Sequence, residues 1–173
     1  MSLPVLQTPR LRLRPRTPDD LDANLAMDLD PEVTHFIWPE PPDPAAHRAV
    51  LAARIASGWP EVGAVWVVEW REAPGLLGWC GLFPLDGTDE IELGYRYVRK
   101  VWGQGVATEA GRAVLAHGFG SMGLERIVGV TDPANHASKR VLAKLGMLPA
   151  GRGRYYGREL DRFGLGRTDV VSG

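Results

Sequence analysis

The segment with the clearest chemical potential is a glycine-bearing loop that runs from Lys100 to Gly105. A strand pattern precedes this loop, and a helical pattern begins at Val106. Glycine lets the backbone approach a ligand closely, and a helix N-terminus presents unpaired N–H groups at the positive end of its dipole. Such a loop favours an anion such as a pyrophosphate. The alternative is that Gly103 and Gly105 only turn the chain, since short glycine motifs are weak evidence.

Two other phosphate-binding motifs do not fit this loop. A P-loop ends in Gly-Lys-Ser/Thr, whereas this loop continues as Gly105-Val106-Ala107. A dinucleotide fingerprint requires a small residue where Thr108 stands. The loop therefore predicts a phosphate-bearing ligand of another kind.

A second candidate lies at Asn135, which follows a strand pattern and begins a helical one. Asparagine is a good helix N-cap, and this structural role explains its position by itself. Its side-chain amide also carries donors and acceptors that could contact a ligand. The two roles are compatible, so both are kept.

The elements that must position these residues alternate between strand and helix periodicity. Apolar spacing and cap chemistry predict the order β-α-α-β-β-β-α-β-α-β-β, a mixed α/β sheet of about seven strands flanked by about four helices. The predicted strands cover residues 10–16, 64–70, 76–82, 90–98, 126–131, 151–156 and 159–165. The predicted helices begin after Thr17, Asp43, Gly105 and Asn135, and the second is predicted to end at Gly58.

The composition limits the class of protein. A chain of 173 residues has the size of one domain, here 1–173, and its net charge of −1 favours neither nucleic acid nor an anionic membrane. No apolar run reaches the roughly 20 residues that a membrane span needs. With one cysteine, Cys80, and four histidines far apart, we expect no disulfide, no metal and a cytoplasmic location.

Four motifs in order resemble one family. Gly-x-Gly-x-Ala-Thr-Glu-Ala from Gly103, and Asn-x-x-Ser-x-x-Val-Leu-x-Lys-Leu-Gly-Met from Asn135, look like the GNAT N-acetyltransferase superfamily. Thr8-Pro9-Arg10-Leu11-Arg12 and Glu92-Leu93-Gly94-Tyr95 resemble the branch with ribosomal-protein alanine and serine N-terminal acetyltransferases. The resemblance spans residues 7–168 and implies a GNAT fold, a mostly antiparallel sheet that splays between its fourth and fifth strands.

The resemblance also implies a cofactor site for acetyl-CoA, with no metal. The backbones of Tyr97 and Val98 would bind the pantetheine arm in the splay, and Asn135 would contact it too. Ser138 would lie near the sulfur. The N–H groups of the glycine loop and first helical turn would hold the pyrophosphate; these residues are Gly103, Gln104, Gly105, Val106, Ala107 and Thr108.

The implied reaction is direct attack of a neutral amine on the thioester in a ternary complex. Glu92 is the candidate base, acting through water, and Ser138 a candidate acid; a solvated carboxylate on the strand surface is the alternative for Glu92. Relatives often carry a tyrosine acid where Leu142 stands and a glutamate near Gly129. Because both are missing, a non-catalytic CoA-binding module stays an alternative.

The acceptor is the least patterned part of the sequence. Trp38 lies in the loop where the family walls its acceptor pocket, so we expect it to bind substrate. Without a strong base, an amine of low pKa is favoured, because presenting neutral lysine at pH 7 costs about 4.6 kcal/mol and a neutral α-amine about 1.2. We therefore expect a protein or peptide N-terminus, with a small-molecule amine as the alternative. Monomer and homodimer are both left open.

Overall fold

The computed structural model describes residues 3–57 and 63–172. Eight strands lie in it, and the described helices are five α-helices with three short 3-10 segments at Pro18–Asp20, Arg99–Val101 and Arg167–Ser172. The strands are β1 (Leu6–Gln7), β2 (Leu11–Pro15), β3 (Ala64–Trp70), β4 (Gly78–Pro84), β5 (Ile91–Tyr97), β6 (Arg126–Thr131), β7 (Leu148–Tyr155) and β8 (Arg158–Gly166). The helices are α1 (Leu21–Asp28), α2 (Pro31–Thr34), α3 (Pro44–Ala56), α4 (Val106–Gly120) and α5 (His136–Lys144).

All eight strands form one sheet in the order β1-β2-β3-β4-β5-β6-β8-β7. Every neighbouring pair is antiparallel except β5 and β6, which are parallel. The predicted seven strands are all present, and the eighth is β1, which pairs with β2 over two residues and is too short to show a period. The predicted fourth and fifth strands are therefore β5 and β6.

The helix prediction needs one addition. Pro31 was expected only to end the first helix, but it begins the short helix α2, because the Asp30 side chain caps it by accepting from Glu32 N at 3.0 Å. Asp43 caps α3 in the same manner, accepting from Ala46 N at 2.8 Å. The predicted end of that helix at Gly58 lies outside the described residues.

The main core lies between one face of the sheet and α4. Leu82, Val114 and Ile127 are fully buried in it. Gly118 lets the helix approach the sheet, because a Cβ built there would lie 2.7 Å from Leu82 Cδ1 and 2.9 Å from Ile127 Cδ1. Alternation along β5 then places Leu93 in this core and turns Glu92 to the opposite face.

Candidate active site

A gap between β5 and β6 organises the site. Although these strands are parallel neighbours, only Glu92 and Val128 are in register, and no pair follows towards their carboxyl ends among the described residues. The predicted splay between these two strands is therefore confirmed. Glu92 lies at the closed end of the gap, where pairing stops.

Backbone groups of β5 face this gap. Gly78 and Tyr97 are opposite one another, and Val98 N donates to Leu77 O at 2.9 Å, which makes Gly78–Tyr97 a pair without mutual hydrogen bonds. By the same alternation, the N–H and C=O groups of Tyr95 and Tyr97 point away from β4, towards β6. The Tyr97 carbonyl accepts from the Trp102 indole at 2.9 Å, which leaves the Tyr97 N–H facing the gap.

Val98 offers less than the sequence predicted. Its N–H is taken by Leu77 O, and its carbonyl accepts from Val101 N at 3.2 Å in the turn that follows β5. Both backbone groups of Val98 therefore have protein partners. Of the two residues expected to bind the pantetheine arm through their backbone, Tyr97 is the one with an N–H directed into the gap.

The glycine loop ends beside this gap and begins α4. Gly103 and Gly105 have φ angles of 73° and 79°, in the left-handed region that favours glycine, and Gly105 is the N-cap. The first bond of the helix runs from Glu109 N to Gly105 O at 3.0 Å, so the N–H groups of the turn before it have no partner within the helix. These belong to Val106, Ala107 and Thr108, three of the residues predicted to bind pyrophosphate.

The loop is held from both sides. The exposed Gln104 donates through its amide to Lys100 O at 2.7 Å, and Gln104 O accepts from Arg10 Nη2 at 3.0 Å. Arg10 is in turn fixed by Glu109, whose Oε2 lies 2.6 Å from Arg10 Nε. The glutamate of the Gly-x-Gly-x-Ala-Thr-Glu-Ala motif therefore anchors the N-terminal segment to α4.

Asn135 caps α5, as the sequence predicted. Its Oδ1 accepts from Ser138 N at 3.1 Å. Within the described part of the chain nothing accepts a hydrogen bond from the Asn135 amide nitrogen, and the side chain is only half-buried. The cap therefore uses the oxygen of the amide and leaves its two N–H donors for a ligand.

Ser138 has a partner that the sequence analysis missed. Its Oγ lies 2.9 Å from the hydroxyl of Tyr95, which reaches over from β5. Burial raises the pKa of Tyr95 above its ordinary value, so this hydroxyl keeps its proton at neutral pH. A tyrosine is absent at Leu142, but a tyrosine hydroxyl from the strand contacts the helix serine instead.

Glu92 is buried, with 7% of its surface exposed, so the alternative of a solvated surface carboxylate is wrong. Loss of hydration raises the pKa of Glu92 to about 7; the negative charge of Asp86 adds to this, and a hydrogen bond from Tyr156 opposes it. That bond runs from Tyr156 Oη to Glu92 Oε2 at 2.6 Å. A carboxylate with this pKa is suited to accept a proton near neutral pH.

Trp38 lies further along the same sheet face, on the far side of Arg96. The Arg96 guanidinium sits 4.9 Å from the Trp38 ring centre, and the His47 ring packs edge-on against Trp38 at 5.2 Å. The buried Asp28 holds both partners, with His47 Nε2 at 2.8 Å and Arg96 Nη1 at 2.5 Å. Trp38 lines a cleft of about 470 Å³ with Pro39, Glu40, Pro42, His47, Val50 and Arg54.

The structure does not bring Trp38 and Glu92 together. Arg96 is four residues after Glu92 on β5, a separation of about 13 Å along the strand. The loop that carries Trp38 is nevertheless tied to the Glu92 end of the sheet, because Arg158 donates to Phe36 O at 2.8 Å and to Ile37 O at 3.1 Å. Trp38 and Glu92 therefore lie at separate positions along this face of the sheet.

Neither a metal centre nor a membrane span is found in residues 3–57 and 63–172. No three His, Cys, Asp or Glu side chains there come together as metal ligands. None of the helices there is both long and apolar enough to cross a bilayer.

A glycine loop at a helix N-terminus, a splayed parallel strand pair and a buried carboxylate at its closed end make up the candidate site. The family model described as an acetyltransferase (GNAT) domain matches residues 10–148, and the chain belongs to this family. The chain is an N-acetyltransferase, so the alternative of a non-catalytic binding module is set aside.

Individual relatives agree with this assignment. The chain is 32% identical over 155 residues to an uncharacterised N-acetyltransferase of Bacillus subtilis, YoaA, with 88% of each chain covered. It is also 32% identical over 155 residues to an FsC-acetyl coenzyme A-N(2)-transacetylase of Aspergillus fumigatus, covering 83% of this chain and 65% of the relative. The fold is that of Mycobacterium smegmatis RimJ, solved with CoA-disulfide, with a TM-score of 0.73, 20% identity, and 98% and 93% of the two chains covered.

Proposed function

We propose that this chain transfers the acetyl group of acetyl-CoA to the α-amine of a protein or peptide N-terminus, by direct attack in a ternary complex. One observation carries the proposal: the buried carboxylate of Glu92 lies at the closed end of the β5–β6 gap, with a pKa of about 7. A glutamate of ordinary pKa would be a much weaker base there.

The residues proposed to hold acetyl-CoA are those with unused donors around the gap. Tyr97 would bind the pantetheine arm through its backbone N–H, and Asn135 would bind it through its amide nitrogen. The pyrophosphate would lie against the loop from Gly103 to Gly105 and the free N–H groups of the first turn of α4. Val98 is left out, because both its backbone groups have protein partners.

The reaction forms a C–N bond and breaks the C–S bond of the thioester. Glu92 would accept the proton that the amine loses, and the Tyr95 N–H, which faces the gap, would donate to the carbonyl oxygen as negative charge develops on it. Tyr95 is three residues from Glu92, about 10 Å along the strand, so one water between Glu92 and the amine is expected. Ser138, supported by the Tyr95 hydroxyl, would donate to the departing sulfur.

The choice of an α-amine rests on matching acid and base. An α-amine has a pKa of about 7.7–8.0, close to that of Glu92, so proton transfer between them is nearly level. Transfer from a lysine, with a pKa of about 10.4, to Glu92 is uphill by roughly 3.4 units, or about 4.6 kcal/mol at 1.36 kcal/mol per unit. The sequence contains no evident strong base, which already favours an α-amine; the buried Glu92, with its raised pKa, favours the same acceptor.

A small-molecule amine is the second candidate. The observation that favours it is the likeness to a relative named for N(2)-transacetylation of FsC. The two candidates differ in what occupies the cleft beside Trp38: a peptide would continue through it, whereas a small amine would fill it or leave it empty.

The deciding experiment compares three kinds of acceptor. They are peptides with a free N-terminus and an internal lysine, the same peptides with a blocked N-terminus, and a panel of small amines. Mass spectrometry after incubation with acetyl-CoA locates the acetyl group. Acetylation at the N-terminus of the free peptides alone supports the proposal. Acetylation mainly at lysine, or of small amines only, contradicts it.

A further inference from the structure

Two turns converge on Glu92. The turn after β4 carries Asp86, and the turn between β7 and β8 carries Tyr156. These two are the non-glycine residues of the described chain with a left-handed backbone, with φ angles of 44° and 52°. Such a conformation costs about 1–3 kcal/mol at a residue with a side chain and persists where surrounding contacts impose it.

The contacts that impose this conformation link the two turns. Tyr156 N donates to Asp86 Oδ2 at 2.7 Å, and Asp86 N approaches the Tyr156 hydroxyl at 3.2 Å. With its oxygen held by the Asp86 N–H, the hydroxyl directs its own hydrogen to Glu92 Oε2 at 2.6 Å. The strained turns therefore end in one short hydrogen bond to the carboxylate.

We propose that Tyr156 is a positioning residue for Glu92, held in place by Asp86, and that the pair sets how readily Glu92 accepts a proton. The proposal rests on the proposed function only in that Glu92 is the base of the transfer. Tyr156 need not touch the substrate, since it acts through the carboxylate.

The two residues act on Glu92 with opposite sign. The Tyr156 hydroxyl donates to the ionised carboxylate and stabilises it, so it lowers the pKa, whereas the negative charge of Asp86 raises it. From β5 itself, the charge of Glu92 contributes to the raised pKa of Tyr95, after burial as the main cause. The cross-strand neighbours Phe83 on β4 and Val128 on β6 carry no titratable group.

Because the two residues shift the pKa of Glu92 in opposite directions, removing each of them should change that pKa with opposite sign. Tyr156→Phe removes the donor and keeps the ring, and the pKa of Glu92 should rise by about one unit, since hydrogen bonds to charged groups are among the stronger ones. Asp86→Asn removes the charge, keeps an oxygen for Tyr156 N and suits a left-handed backbone, and the pKa should fall by a few tenths. Tyr155→Phe is the matched control, with no change expected.

The pKa of Glu92 is measured directly, by ¹³C NMR titration of its side-chain carboxyl in the protein without substrate, with the resonance identified by its loss in Glu92→Gln. Shifts of opposite sign in the two variants support the proposal. An unchanged pKa in Tyr156→Phe, or shifts of the same sign in both variants, overturns it.

The rate profile separates this inference from the proposed function. If Glu92 is the base, the acidic limb of kcat/KM against pH, which reports ionisations of the free enzyme, should move by the same amount as the NMR pKa in each variant. If the NMR pKa moves and the limb does not, the positioning role of Tyr156 is supported and the assignment of Glu92 as base fails. Tyr156→Phe should also leave the affinity for CoA unchanged within about twofold.

Discussion

Burial separates Glu92 from the glutamate two positions before it. Glu90 is half-buried and forms an ion pair with Arg162, so its charge is balanced. Glu92 has no cationic partner within the described residues, and its hydroxyl partner Tyr156 offsets only part of the loss of hydration. Two glutamates two positions apart therefore differ: Glu90, just before β5, is neutralised by an ion pair with Arg162 on β8, whereas Glu92 on β5 is available as a base.

This difference predicts the result of a matched pair of substitutions. Glu92→Gln keeps the size of the side chain and removes the base, so kcat should fall by about 10²–10⁴-fold at pH 8. Glu90→Gln should lower kcat by less than about threefold. Steady-state kinetics at saturating acetyl-CoA measures both, and near-normal turnover in Glu92→Gln would rule out a base at this position.

At the residue scale, the sequence predicted site residues whose roles depend on their own segment. It missed those whose partners lie far away in the chain. Asn135 was identified because it follows a strand pattern and begins a helix, and Ser138 was identified from the family resemblance. Tyr95 was noted only as part of a strand motif and Tyr156 was not singled out, because their partners lie 43 and 64 positions away in the chain. Glu92 was picked out, but its burial depends on packing that its own segment does not reveal.

At the scale of elements, the glycine loop before α4 can be tested by adding a methyl group where the pyrophosphate is proposed to lie. A Cβ at Gly103 would meet nothing within 4 Å, and the same holds at Gly123 after the helix; their φ angles are 73° and 67°. Alanine at either site should cost about 1–2 kcal/mol of backbone strain. Gly103→Ala alone should also weaken CoA binding, by about tenfold or more, because the added methyl occupies space proposed for the pyrophosphate.

Calorimetry with CoA and thermal unfolding measure the two effects separately. Equal losses of stability with unequal losses of affinity are the expected result. Equal CoA affinity in the two variants would contradict the placement of the pyrophosphate at this loop.

The helix caps provide a second matched pair. Serine caps about as well as asparagine or aspartate, so Asn135→Ser and Asp43→Ser should both change the free energy of unfolding by less than about 0.5 kcal/mol. Asn135→Ser also loses the amide donors, so the KM for acetyl-CoA should rise several-fold, whereas Asp43→Ser should leave it unchanged. An unchanged KM for acetyl-CoA in Asn135→Ser would show that Asn135 is a helix cap and does not contact the co-substrate.

Helices and strands were predicted correctly where the hydrophobic periodicity and the helix-capping residues indicated the same element. The strand that leads into the glycine loop and the helices begun by Gly105 and Asn135 were predicted within a few residues. The short β1 and α2 were not, because two or four residues cannot show a period. The arrangement of the sheet followed from the family resemblance, since pairing between distant strands leaves no local signal.

For the molecule as a whole, Glu92 links activity to stability. Its pKa is about 7 in the folded protein against an ordinary 4.5, so the folded state holds the proton more tightly. Its contribution to stability is complete below about pH 4.5 and is lost as the pH rises through 7, an effect of up to about 3 kcal/mol at 1.36 kcal/mol per unit.

Glu92→Gln has no carboxyl to ionise and so does not lose this contribution as the pH rises. The difference in free energy of unfolding, variant minus native chain, should therefore increase from pH 5 to pH 8. Urea unfolding at the two pH values measures the difference, and Glu90→Gln, which leaves Glu92 in place, serves as the control. A constant offset for Glu92→Gln would show that its carboxyl titrates near the ordinary value.

The single registered pair between β5 and β6 leaves this sheet with a seam that protein hydrogen bonds close at one end only. If the pantetheine arm lies in the open part, as proposed, the co-substrate completes the sheet as an interior strand would. The stability of the fold would then depend on the concentration of CoA species. A ligand at 100 times its Kd increases the free energy of unfolding by about 2.7 kcal/mol. When the ligand is scarce, the same mass action would raise the unfolded fraction, and with it the exposure of this protein to proteases.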